Sequence, residues 1–109
     1  MKRFRVYDIN KKRYLYDDEF TIQEGKAVGF NYPLEQSSGI NDIDGNTIYE
    51  HDKIHIKGCI DGHYVDRYCL VKHKHACFVV NIVGTYWHPL FIARKYNLIN
   101  KIVGTINDA

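Results

Sequence analysis

The chain has 109 residues and a hydrophobic fraction of 45%, enough to close one modest core without disulfides or metal. Charged residues make up 26%, which argues against disorder, and a net charge of +2 is too small to imply nucleic-acid binding by itself. The longest apolar runs fall far short of a membrane span, and the basic start at Met1–Tyr7 has no apolar stretch behind it, so no membrane association and no signal peptide are expected.

Taken in chain order, the residues favour strands. Lys2 to Asp8 alternates, with Phe4 and Val6 on one face and Arg3, Arg5 and Tyr7 on the other, which predicts a half-buried strand. A turn at Asp8–Lys12 leads to a second short strand, Arg13 to Tyr16, ended by the acidic Asp17–Glu19. Phe20–Ile22 and Ala27–Phe30 flank Gln23–Lys26, a predicted hairpin loop. Asn31 to Ser38 is predicted irregular, since Pro33 excludes a central strand there.

Asn41 to Asn46 is turn chemistry, with Asp44-Gly45 at its centre. Thr47–Tyr49 restarts an extended run. Asp52 to Lys57 reads as a strand with Ile54 and Ile56 inward and Lys53, His55 and Lys57 outward. The second half reads as a meander. His63 to Lys72 is extended, and Ala76 to Val83 is a continuous apolar run suited to a strand covered on both faces. Gly84-Thr85 breaks it. Tyr86 to Ile92 fits a strand interrupted by Pro89, or His88 to Tyr96 holds one short helix with Pro89 in its first turn. Leu98 to Ile106 is the last strand.

No repeat, low-complexity segment or linker divides the chain, so residues 1–109 are taken as one domain. Many short strands with turns every eight to twelve residues predict a mainly β fold: a small, bent SH3-like barrel in the last two-thirds, with β-hairpins at the N-terminal end and one short helix near residues 89–96. The open edges of so small a β domain admit a homo-oligomer.

The stretch from Ser38 to Ile56 carries a signature. Gly39, Ile40, Asp42, Gly45, Ile48, Tyr49, Glu50, Asp52 and Ile54 stand where the central motif of the YopX family of phage and prophage proteins has Gly-Leu, Asp, Gly and Ile-Tyr-Glu-Gly-Asp followed by a hydrophobic strand. Arg3-Phe4-Arg5 and Val103-Gly104-Thr105-Ile106 are similar to the family's first and last strands. The chain therefore resembles that family at both ends and in the middle. Two departures stand out: His51 replaces the family's usual glycine, and the chain stops at Ala109, short of a common Asn-Pro tail. The resemblance implies a phage or mobile-element origin, life in the cytoplasm of a bacterial host and a mainly β fold. It implies no activity and no catalytic residues.

From the residues themselves, Asp44-Gly45 makes a tight turn, while Glu50 and Asp52 brace the start of a strand by bonding nearby backbone N–H groups. That structural role outweighs a catalytic pair, because neither carboxylate has a nucleophile or metal partner in sequence. His73, His75 and Cys77 would share one face of a continuous strand and suit Zn²⁺ there. A turn at His73–His75 would instead make Cys77 an ordinary core residue, and no Cys-x-x-Cys pair supports a metal. No metal or cofactor is expected. Cys59 or Cys69 with His55 or His63 is a conceivable thiol–imidazole pair, weighed against idle or buried thiols. Three cysteines at irregular spacing read as reduced rather than as a disulfide framework.

The basic runs are Lys72-His73-Lys74-His75, Lys11-Lys12-Arg13 and Arg94-Lys95. With exposed Tyr14, Tyr16, Tyr64, Tyr86 or Trp87, such runs could track phosphates and stack bases, or meet an acidic host protein. Solvated loop charge is the bland reading. Trp87 is either a binding anchor or a core residue beside Pro89. The candidate binding surface is thus Lys72, His73, Lys74, His75, Tyr86 and Trp87. The protein is expected to be no enzyme. It is expected to bind a host or phage protein, with a nucleic-acid-binding β-barrel as the alternative.

Overall fold

The computed structural model describes residues 3–74, 76–82 and 87–107. The fold is mainly β, with a curled sheet that makes half a barrel and one short α-helix, the class that the strand-and-turn pattern predicts. The chain sorts into two compact units, Met1–Ser37 and Ser38–Ala109.

In the first unit, β1 (Phe4–Asp8) and β2 (Arg13–Tyr16) form an antiparallel hairpin, in register from Arg5↔Tyr16 to Asp8↔Arg13. Asp8 Oδ1 holds the connecting turn by accepting the N–H groups of Asn10 and Lys11 at 3.0 and 3.2 Å. A single 3-10 turn, Asp17–Glu19, follows. The Asp17 carboxylate accepts the N–H groups of Arg3 and Phe4 at 2.9 and 2.7 Å and so fixes the start of β1.

β3 (Ile22–Gln23) and β4 (Lys26–Ala27) pair around Glu24-Gly25, both at positive φ, as a two-residue hairpin turn requires. The hairpin falls where the sequence predicts it, although Gln23 and Lys26 belong to its strands rather than to its loop. β5 (Glu35–Asn41) then starts where an irregular segment is expected. Pro33 excludes only its own position and its neighbourhood. From Glu35 onward the chain pairs with β1, Phe4 opposite Gln36 and Arg5 opposite Glu35.

That pairing also corrects the reading of β1. Arg5 is buried, not solvated: its Nε lies 2.7 Å from Glu35 Oε1, with both side chains almost fully enclosed. Removing one partner of such a pair costs about 3–5 kcal/mol, because the other charge is left buried. Val6, Leu15 and Ala27 form the small core beside it, covered by Phe20, Phe30, Tyr32 and Leu34.

In the second unit, β5 runs on to Asn41 beside β6 (Thr47–Tyr49). β7 (Asp52–Ile60) and β8 (His63–Leu70) make a long antiparallel hairpin, in register from Lys53↔Leu70 to Ile60↔His63. Asp61-Gly62 closes it with both residues at positive φ. β9 (Lys72–Lys74), β10 (Cys77–Val80) and β11 (His88–Pro89) form a second sheet with β10 in the middle. α1 (Leu90–Lys95) begins directly after Pro89, which stands at the N-cap in an extended conformation (ψ 139°) rather than in the first turn. Asn97 at φ +56 ends it, and the Leu98 N–H returns to the Ala93 carbonyl at 2.8 Å. β12 (Ile99–Thr105) pairs with the other edge of β7.

Ile54 and Ile56 of β7 are fully buried with Ile48, Val71, Val80, Leu90, Ala93 and Leu98, while Lys53 and Lys57 face solvent. Each of these side chains except Ala93 contributes about 1.5–3 kcal/mol by leaving water. None of the helices among the described residues is long and apolar enough to cross a membrane.

Candidate binding surface

The signature residues build a structural corner. Asp42 is buried, and its Oδ1 accepts the N–H groups of Asp44 and Asn46 at 3.0 and 2.9 Å. Its Oδ2 accepts the N–H of Ile102, sixty positions away on β12, at 3.1 Å. Burial pushes the Asp42 pKa up, but the donors from Ile102, Asn46 and Asp44 outweigh it and hold the carboxyl below its usual value. Gly45 sits at φ +83 inside this turn. Asp52 is buried as well, and its Oδ2 accepts the Tyr49 N–H at 2.8 Å across the bend between β6 and β7.

Tyr49 is a core residue, Gly39 lies at φ +77 in β5, and Glu50 Oε2 is 3.7 Å from His51 Nε2. His51 itself takes φ +70. Its N–H donates to the Val71 carbonyl at 2.8 Å, and its carbonyl accepts from Ile106 at 3.0 Å. The motif therefore ties three segments together through backbone groups.

The basic run behaves differently from a continuous cluster. β9 alternates like any strand, so Lys72 and Lys74 share one face and His73 takes the other. His73 stacks on Phe78, its cross-strand partner, with ring centroids 4.6 Å apart, and Phe78 packs against the core of this unit. The two lysines meet Trp87 instead. Lys72 Nζ lies 5.1 Å and Lys74 Nζ 4.3 Å from the centroid of its ring, within cation–π range. Trp87 keeps 39% of its surface exposed. Next to it in the fold, Asn81 Oδ1 and His88 Nδ1 are buried without a hydrogen-bond partner among the described residues. His75 and Tyr86 lie outside the described residues.

The other candidates separate. Cys77 stands opposite Lys74, while His73 stands opposite Phe78. Among the described residues, no three His, Cys, Asp or Glu side chains are grouped to hold a metal ion. Cys69 is buried, and its thiol donates to the Asn81 carbonyl at 3.0 Å. Burial pushes that thiol up, away from the thiolate a nucleophile needs. Cys59 is exposed and opposite Tyr64. Tyr14 and Tyr16 are half-buried, and the Tyr14 ring lies under the Arg5 guanidinium.

One arrangement escaped the sequence. On the outward face of β7 and β8, His55 Nε2 lies 2.7 Å from Asp66 Oδ1, and its Nδ1 lies 3.0 Å from the Asn100 amide nitrogen. An amide nitrogen only donates, so Nδ1 accepts and Nε2 carries the proton toward Asp66. The hydrogen bond from His55 holds the Asp66 carboxyl below its usual value. Tyr68 stacks on His55 at 4.9 Å, and Tyr64 and Tyr68 are both well exposed on this face. The only signal in the sequence is the alternation that puts His55, Tyr64, Asp66 and Tyr68 outward. The register that joins them is a tertiary fact.

No protein-family model, curated protein or solved structure matches the chain.

Proposed function

We propose that this protein acts by binding, without catalysis, to a macromolecule of a phage or of its bacterial host, through the face formed by Lys72, Lys74 and Trp87. The observation that carries this reading is the placement of two ammonium groups within 5.1 and 4.3 Å of one part-exposed indole. Two lysines on a strand are ordinary solvated charge. An indole in contact with both adds apolar area with a fixed shape, and tryptophan is among the residues that dominate binding energy at interfaces. The resemblance of Ser38–Ile56 to the YopX family supplies the phage setting and the bacterial cytoplasm, and inhibition of a host defence or regulatory factor would follow from such binding.

The test is co-purification from a bacterial host lysate with the natural chain and with Lys72→Ala, Lys74→Ala and Trp87→Ala. A partner that is captured by the natural chain and lost with the three changes supports the reading, whereas equal capture removes this face from it. Turnover of any nucleotide or nucleic acid by the purified protein would count against a binding role.

A nucleic-acid partner is the second reading, because cations beside an aromatic ring can follow a phosphate backbone while the ring stacks a base. Titration with single- and double-stranded oligonucleotides at low salt decides it. Binding should weaken with salt, and each lysine removed should lower the slope of log K against log salt by about 1. A flat titration leaves the protein partner.

A further inference from the structure

The first unit contains a pocket of about 430 Å³ that plays no part in the reading above. Its walls include Tyr7, Phe30 and Tyr32, and Asp8 lies among them. We propose that this pocket binds a methylated ammonium cation.

The rings have the arrangement such a cation needs. Tyr7 and Tyr32 have centroids 5.3 Å apart and planes inclined at 70°, so they form two walls close to a right angle. Phe30 is a third ring, braced from outside the pocket by Phe20 at 6.4 Å and 70°. Aromatic faces carry the negative part of the ring quadrupole, and an enclosure of several rings attracts a cation from more than one side.

Asp8 supplies a full charge. It is 8% exposed, and both turn N–H groups end on its Oδ1. Its Oδ2 accepts no hydrogen bond from the described residues. The negative charge on that carboxylate attracts a cation placed in the pocket.

The choice of cation follows from hydration. Rings cannot replace the water shell of a small hard ion, whereas a methylated ammonium is weakly hydrated and covers its charge with methyl groups. The same aromatic cluster already holds a cation elsewhere. The Arg5 guanidinium lies 3.9 Å from the centroid of Tyr14, whose ring meets Tyr7 edge-on at 5.3 Å. Glu35 neutralises that arginine, so it leaves no net positive charge beside the pocket. The volume falls within the range of about 300–1,000 Å³ typical of small-ligand sites.

Two sources share this chemistry: a free quaternary amine and a trimethylated lysine side chain. Nuclear magnetic resonance of the full chain, read at the rings of Tyr7, Phe30 and Tyr32, tests the pocket with choline and with 3,3-dimethylbutan-1-ol, its neutral isostere. Choline or a trimethyl-lysine peptide should give saturable shifts, and whichever binds more tightly identifies the source. The neutral alcohol should bind choline's site at least about tenfold more weakly, the factor for one cation–π contribution. Tyr32→Ala should lose about the same factor, and Asp8→Asn should weaken binding while keeping an oxygen for the turn.

Equal binding of choline and the alcohol would overturn the proposal, because the pocket would then be merely apolar. Silence from both choline and the peptide would overturn it too. The comparison of isosteres uses the unchanged protein, so it decides even if the Tyr32 variant fails to fold.

Discussion

His51 occupies a backbone region, φ +70, that costs a residue with a Cβ about 1 kcal/mol and costs glycine nothing. It is kept there because its N–H and carbonyl hold Val71 and Ile106. The sequence marks the position, since the motif that the chain resembles has glycine there, but only the backbone shows that His51 takes a positive φ. His51→Gly should therefore be more stable by about 0.5 kcal/mol, the relief of strain less the greater freedom of the unfolded chain. The 3.7 Å contact with Glu50 is partly exposed and offsets little of this. Urea denaturation checks it, and a lower midpoint in the glycine variant would mean that the imidazole contributes more than the strain costs.

At the scale of elements, β7 is the central strand of its sheet, and Gly58 is where it yields to its neighbours. Gly58 has φ +148, and a Cβ there would stand 2.8 Å from Leu98 Cδ2. Leu98 is fully buried, and its carbonyl accepts the Lys57 N–H at 2.9 Å, so neither it nor the strand can move away freely. Gly58→Ala should cost about 1–3 kcal/mol from overpacking and backbone strain together. Thermal denaturation measures it, and an unchanged midpoint would show that Leu98 finds another rotamer at no cost.

The alternation of β7 was legible from Ile54 and Ile56 because a single face of it meets the core. In β1 the same rule misplaced Arg5, because Glu35 covers the second face. In the Lys-His run the same rule puts His73 on a face with His75 and Cys77 only if the strand is continuous, whereas β9 ends at Lys74 and turns back, so that Cys77 stands opposite Lys74 and His73 opposite Phe78.

For the molecule as a whole, stability in acid depends on carboxylates held below their usual pKa values. Asp42 is the buried case, bridging its own turn to β12, while Asp66, paired with His55, and Glu19, which accepts the Tyr16 N–H, are exposed ones. A carboxyl whose folded pKa is depressed stabilises the fold above its unfolded value, and the contribution is lost as pH falls through the folded value. The protein should therefore lose stability steadily as pH drops below the unfolded carboxylate value of about 4. Asp42→Asn should be less stable by about 1–3 kcal/mol at neutral pH, because one of the part-buried backbone donors loses its charged acceptor. The gap between variant and natural chain should narrow in acid. Urea titrations at neutral pH and at a pH of about 3 would show it, and parallel stability curves would dissociate Asp42 from the acid transition.

By itself the sequence determined what depends on near neighbours. The β class, the turn at Asp44-Gly45, the hairpin around Glu24-Gly25 and the strand from Asp52 all follow from residue type and spacing within a few positions, whereas the segment around Pro89 fits strand or helix in sequence and is a helix with Leu90 and Ala93 buried in the fold. Tertiary structure alone decided which distant residues meet. Arg5 and Glu35, Asp42 and Ile102, His55 with Asp66 and Asn100, the lysines of β9 with Trp87, and Tyr7 with Tyr32 are each joined by strand register or chain reversal. Periodicity records which face a side chain takes, but not what lies opposite that face.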